Sequence, residues 1–165
     1  MSRADGSAGA SGELQVRRFQ AGDALAVRQL HHGGLTAAGA HLGRGQWDQD
    51  LDSVPTTFLD DGGEFLVGLC DARLVAMGGV RHVTDTVGEL KGMLVHPAFQ
   101  RRGYGRLILT RLEDRAGELG YRRLRLDTMV TQTAAQRLFG SAGYGAVGRG
   151  ELAGTDVIYY EKRLA

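Results

Sequence analysis

Gln100, Arg101, Arg102, Gly103, Tyr104 and Gly105 form the stretch whose residue types and spacing speak most directly of chemistry. Two glycines with one residue between them let a backbone approach a ligand without side-chain obstruction, and a helical pattern starting near Gly103 aims its first N–H groups into the turn. A helix N-terminus carries about half a positive charge, so the turn suits a diphosphate, and Arg101, Arg102 and Arg106 add charged donors. A dinucleotide turn fits poorly. The third small position of G-x-G-x-x-G holds Ile108, and Arg123 stands where an acid would hold a ribose. A G-x-x-x-x-G-K-[ST] loop is absent, and a plain glycine turn with solvated arginines stays open on these residues alone.

Few other side chains are poised for reaction. Glu89 lies fourteen residues before Gly103, where it is either a working carboxylate or the solvated partner of Lys91 on the same strand face. His82 and His96 flank strand-like runs and could carry protons near neutral pH, while His31, His32 and His41 are scattered without metal-ligand spacing. The single cysteine, Cys70, excludes an internal disulfide and reads as a buried small hydrophobe. No metal is expected.

The elements that must position these groups follow from periodicity. Leu14, Val16, Arg18 and Phe19 read as a first strand, and Asp23 opens a helix carrying Leu25, Ala26, Val27 and Leu30 that Gly33 and Gly34 should stop. Residues 35–61 are irregular. Phe65 to Cys70 and Leu74 to Val80 flank Asp71-Ala72-Arg73 as a hairpin, and a third strand runs from Val87 to Val95 with Gly92 marking a bulge. Ile108, Leu112, Ala116 and Leu119 define the buried stripe of a helix from about Gly103 to Leu119, closed by Gly120. Arg123 to Met129 alternates as a strand pairing with Val87 to Val95, Thr133 to Ala142 is a helix, and Tyr144 to Gly148 with Asp156 to Arg163 form a last antiparallel pair. The fold class is α+β with a mixed sheet.

Val95-His96-Pro97, the Gln100 to Gly105 turn, and the run from Gln132 through Ala135, Leu138 and Phe139 to Gly143 and Tyr144 together resemble the GNAT superfamily of acyl-CoA-dependent N-acyltransferases. The resemblance runs from Gly88 to Tyr144 and, with a compatible C-terminal pair of strands, covers about half the chain. It implies a central, mostly antiparallel sheet flanked by helices, with residues 13–165 as one such domain; residues 1–12, rich in Ser, Ala and Gly with no apolar period, are expected to be a disordered tail. It implies acetyl-CoA as acyl donor, with its pyrophosphate on the backbone of Gln100 through Arg106 and its pantetheine arm on Met93, Leu94 and Val95, beside Gln132 and Phe139. The family's usual tyrosine is Phe139 here, which cannot donate a proton to the departing thiolate. That step is left to water, Ser141, Tyr144 or no residue. The family's histone-acetylating members place a glutamate base at a position matching Glu89.

A base is chemically necessary. A lysine-like amine with pKa near 10.4 must lose a proton before it has a lone pair, at a cost of roughly 4–5 kcal/mol at neutral pH. The expected reaction is acetyl transfer to a primary amine of a small molecule or peptide by direct attack in a ternary complex. The alternative is a catalytically weak acyl-CoA-binding sensor or regulatory module. Asp48, Asp50, Asp52, Asp60, Asp61 and Glu64, with Trp47 among them, suggest a cationic acceptor.

Composition bounds the rest. At 165 residues the chain suits one domain, and a net charge of +1 argues against nucleic acid or a polybasic membrane surface as partner. No run of about 20 apolar residues and no signal-peptide core is visible, so a cytoplasmic protein is expected. A homodimer is compatible with the sequence, which names neither the acceptor nor the length of the acyl group.

Overall fold

Strand pairing explains the architecture better than element order does. The computed structural model describes residues 13–37, 51 and 53–165. Seven strands, β1 (Gln15–Arg18), β2 (Glu64–Cys70), β3 (Arg73–His82), β4 (Val87–Val95), β5 (Arg123–Met129), β6 (Gly145–Leu152) and β7 (Thr155–Arg163), form one sheet in the order β1-β2-β3-β4-β5-β7-β6. Every pairing is antiparallel except β4 with β5. That parallel pair requires a crossover, supplied by helix α2 (Tyr104–Glu118); α1 (Ala24–Ala37) and α3 (Thr133–Ser141) are further α-helices among the described residues. The expected α+β class and mixed sheet are observed.

Apolar side chains divide between the two sheet faces. Ile108, Leu109, Leu112 and Ala116 of α2 pack with Val80, Leu90 and Leu124, and Phe139 of α3 joins the same cluster. On the other face Val27 and Leu30 of α1 meet Phe65, Val67 and Met77, covered further by Leu51, Val54 and Phe58. The helix expected to stop at Gly33 and Gly34 instead runs to Ala37. Two interior glycines cost roughly 1 kcal/mol each, whereas burying Val27 and Leu30 contributes about 1.5–3 kcal/mol apiece, so packing carries the helix through. Leu25, placed on that helix by the same reading, is 59% exposed and faces solvent.

The hairpins close with left-handed residues. Asp71 and Ala72 join β2 to β3 at φ 52° and 67°, and Ala153 and Gly154 join β6 to β7 at φ 51° and 79°. Two successive positive φ values match the twist of the flanking strands. Cys70 is buried with its sulfur 3.9 Å from the Tyr104 hydroxyl, as expected of a structural thiol.

Candidate active site between the parted strands

β4 and β5 pair for only three rungs, from Val87↔Arg123 to Glu89↔Arg125, and beyond Glu89 no residue of β4 pairs with β5. The cause lies in β4. On its other edge the register with β3 jumps from Gly79↔Lys91 to Met77↔Leu94, so Gly92 and Met93 together oppose Gly78. Gly92 sits at φ +68°, a conformation that L side chains rarely adopt, and a Cβ there would press within 3.2 Å of Leu51. A bulge of this kind turns the strand and ends its pairing. Lys91, Gly92, Met93 and Leu94 on one side and Leu126, Asp127, Thr128 and Met129 on the other thus line a cavity of about 120 Å³. His31, Leu51, Gln132 and Phe139 help to close it. That volume takes the reacting ends of two small groups, not a nucleotide.

Alternation along β5 makes the cavity reach both sheet faces. Leu124 and Leu126 belong to the core under α2, and Thr128 shares their face, so Arg125 and Asp127 point to the α1 side. The Thr128 hydroxyl is buried and has no hydrogen-bond partner among the described residues. An orphaned hydroxyl costs stability and suits a ligand that completes it.

The glycine turn leads from the end of β4 into α2. Gly103 is the N-cap, at φ +82° with no described residue within 4 Å of where a Cβ would stand. Gln100 donates to the Val95 carbonyl at 3.2 Å, which ties the turn to the strand. Tyr104 is buried and sends its ring into the core, so it offers the turn backbone only. Arg102 stacks over Phe99 at 4.9 Å, and Arg106 donates to the Ser141 hydroxyl, which itself donates to the Leu138 carbonyl. Arg101 is exposed, at φ +67°. A Cβ on Gly105 would come within 3.3 Å of Leu138 and 3.6 Å of Val95, so glycine here lets α2, α3 and β4 meet closely.

Several candidates fall outside the cavity. Glu89 is buried, and its carboxylate accepts from Arg81 at 2.6 Å, the residue directly across from it on β3. It lines an adjoining recess with Arg125, Leu126 and Tyr159. His96 accepts from the Ala98 amide and contacts Arg73 at 3.1 Å, and His82 lies 3.7 Å from Asp85. Tyr144 donates its hydroxyl to Glu113 at 2.7 Å, and burial pushes that phenol far above its usual range. Neither Tyr144 nor Ser141 lines the cavity. Gln132 lines the cavity but spends its amide oxygen on the Met129 N–H.

Glu64 is a correction. Counted among acidic residues that could steer an acceptor, it is buried on the α2 side between Arg18 and Arg115, both at 2.8 Å. Asp60 and Asp61 are exposed, while His41, Trp47, Asp48, Asp50 and Asp52 and the proposed tail lie outside the described residues. Asp127 and Thr128 were missed as site residues because nothing in strand alternation tells which edge of a strand will be left open. Among the described residues no group of three or more His, Cys, Asp or Glu is arranged to hold a metal, and no helix is long and apolar enough to cross a membrane.

Comparison with known proteins extends these observations to kinship. No curated protein sequence matches the chain. The structure resembles an acetyltransferase of the GNAT family from Staphylococcus aureus Mu50, with a TM-score of 0.84 at 15% identity over 92% of this chain and 99% of that one. YncA of Salmonella typhimurium, solved with its cofactor acetyl-CoA, superposes with a TM-score of 0.75 at 20% identity, covering 92% and 94% of the two chains. PaiA N-acetyltransferase from Thermoplasma acidophilum, in complex with coenzyme A, gives 0.70 at 12% identity over 92% and 99%. The model of the acetyltransferase (GNAT) family matches residues 26–144, more than two thirds of the sequence and all of the parted strands and glycine turn, and the chain belongs to that family.

Proposed function

We propose that residues 13–165 form an N-acetyltransferase that moves the acetyl group of acetyl-CoA to a primary amine of a small molecule or peptide, both substrates being bound together. The parting of β4 from β5 at the Gly92 bulge carries this reading, because it opens a path between the two sheet faces at the end of a backbone-lined strand. Acetyl-CoA supplies the activated acetyl group. Backbone N–H groups at the start of α2 and the turn from Gln100 to Arg106 would hold its diphosphate, and the free edge of Met93 to Val95 would pair with its arm.

In the cavity and the recess beside it the chain's own groups divide the work. Glu89, oriented by Arg81, receives the acceptor's proton through water. Thr128 takes the place that Phe139 cannot fill, donating its orphaned hydroxyl to the departing sulfur. Most of the rate would come from holding thioester and amine in register. The missing tyrosine at Phe139 favours a second reading, a coenzyme-binding sensor with little turnover, which predicts binding without transfer.

Release of free thiol from acetyl-CoA, measured against a panel of primary amines, amino acids and peptides, separates the two readings. Gly103→Asp, which puts bulk, strain and negative charge at the turn, is expected to weaken coenzyme A binding at least tenfold by calorimetry and to lower turnover with it. Thr128→Val should leave that affinity intact and lower kcat about tenfold, as for loss of one hydrogen bond to developing charge. Tight coenzyme binding with no thiol release from any acceptor would establish the sensor, and unchanged binding by Gly103→Asp would remove the turn from the site.

A further inference from the structure

Asp127 differs from every other shielded carboxylate described. Asp23, Glu64, Glu89, Glu113 and Glu161 each have an arginine or lysine nitrogen within 4 Å. Asp127 is half-buried, lines the cavity between β4 and β5, and has no hydrogen bond or ion pair among the described residues. Its strand position directs it to the α1 side, opposite Thr128, where His31, Leu51 and Lys91 form the rest of the wall. A shielded carboxylate without a protein partner is unfavourable unless a ligand supplies the cation.

We propose that Asp127 is the group that meets the acceptor: it binds the incoming ammonium on the α1 side and takes the proton that frees its lone pair. The proposal rests on the acetyltransferase reading and deepens it, since it makes the acceptor a cationic primary amine and puts a first proton acceptor between that amine and Glu89. The ammonium gives one proton to the Asp127 carboxylate. The nitrogen lone pair then forms the N–C bond, the C–S bond breaks, and the nitrogen loses a second proton. One of the two protons ends on sulfur and the other reaches solvent. Burial raises the Asp127 pKa above that of an ordinary aspartate, Lys91 and Arg125 oppose the shift, and Glu89 adds to it. The raised value brings this carboxyl closer to the working range of a base. The other titratable or charged groups around it are His31 from α1, Arg81 from β3 through Glu89, and Tyr159, its partner across β7.

Asp127→Asn and Asp127→Glu test this with phenethylamine, putrescine and a lysine-containing tripeptide as acceptors. Asp127→Asn is expected to lower kcat/KM for the best amine at least a hundredfold and abolish the acidic limb of its pH profile, while coenzyme A affinity stays within twofold. Asp127→Glu should retain an acidic limb. Because the folded-state pKa is raised, the charged carboxylate costs stability above the unfolded pKa, so Asp127→Asn should melt higher than wild type at pH 7 and lose that advantage below about pH 4. Wild-type activity with an Asp127→Asn variant within threefold of it, or an acidic limb that survives, overturns the Asp127 proposal alone. Parallel loss of activity, coenzyme affinity and melting temperature assigns Asp127 to structure and overturns it as well. A wild-type protein that binds coenzyme A but acetylates no amine overturns the acetyltransferase reading and this proposal together.

Discussion

Glu64 shows how one side chain can look functional in a sequence and be structural in a fold. Its carboxylate is 5% exposed and accepts from Arg18 of β1, Arg115 of α2 and the Phe65 amide, so it joins the sheet edge to the crossover helix. Both arginines keep partial contact with water, which limits the penalty of leaving them unpaired. Truncation to alanine therefore removes charge-assisted bonds and packing without stranding a buried cation, at a cost of about 2–4 kcal/mol. For a chain of this size, Glu64→Ala should lower the melting temperature by roughly 5–15 °C, followed by circular dichroism, with Glu64→Gln falling between. Coenzyme affinity should be unaffected, because none of the three side chains lines the cavity. Glu113, two residues before Arg115 on α2, has a similar role and holds Tyr144 and Lys162.

At the scale of elements, turns and bulges carry the decisions. Gly92 was legible in advance as a break in a strand, since a lone strand glycine has few other uses. Its consequence was not, because the loss of pairing depends on which strand lies on each side. The β2–β3 hairpin shows the reverse case: its position was read from Asp71-Ala72-Arg73, yet two non-glycine residues hold positive φ there. Ala72, exposed at φ 67°, spends conformational energy that glycine would not. Ala72→Gly is expected to stabilise the protein by about 0.5–1 kcal/mol, read as a higher urea midpoint at constant slope, because relief of left-handed strain outweighs the added freedom of the unfolded chain. No change in coenzyme binding should accompany it.

For the whole molecule, the site sits where the sheet is least complete. Antiparallel pairing holds β1 to β4 and β5 to β7 as two blocks, and the three-rung parallel contact joins them beside the cavity. A ligand spanning the gap would brace both blocks. Saturating coenzyme A should therefore raise the melting temperature, contributing about 2.7 kcal/mol at a hundredfold excess over Kd, and Gly103→Asp should lose this gain at the same ligand concentration. The element order, the β4 span, the α2 stripe and the glycine turn were legible from residue order alone, because each depends on local periodicity or on glycine's freedom at one place. Folding across long sequence separations made Glu64 a strut, set Arg81 against Glu89, and turned Asp127 and Thr128 to opposite sides of one opening. Those facts depend on register and on which strand edges remain unpaired, which are properties of segments far apart in the chain.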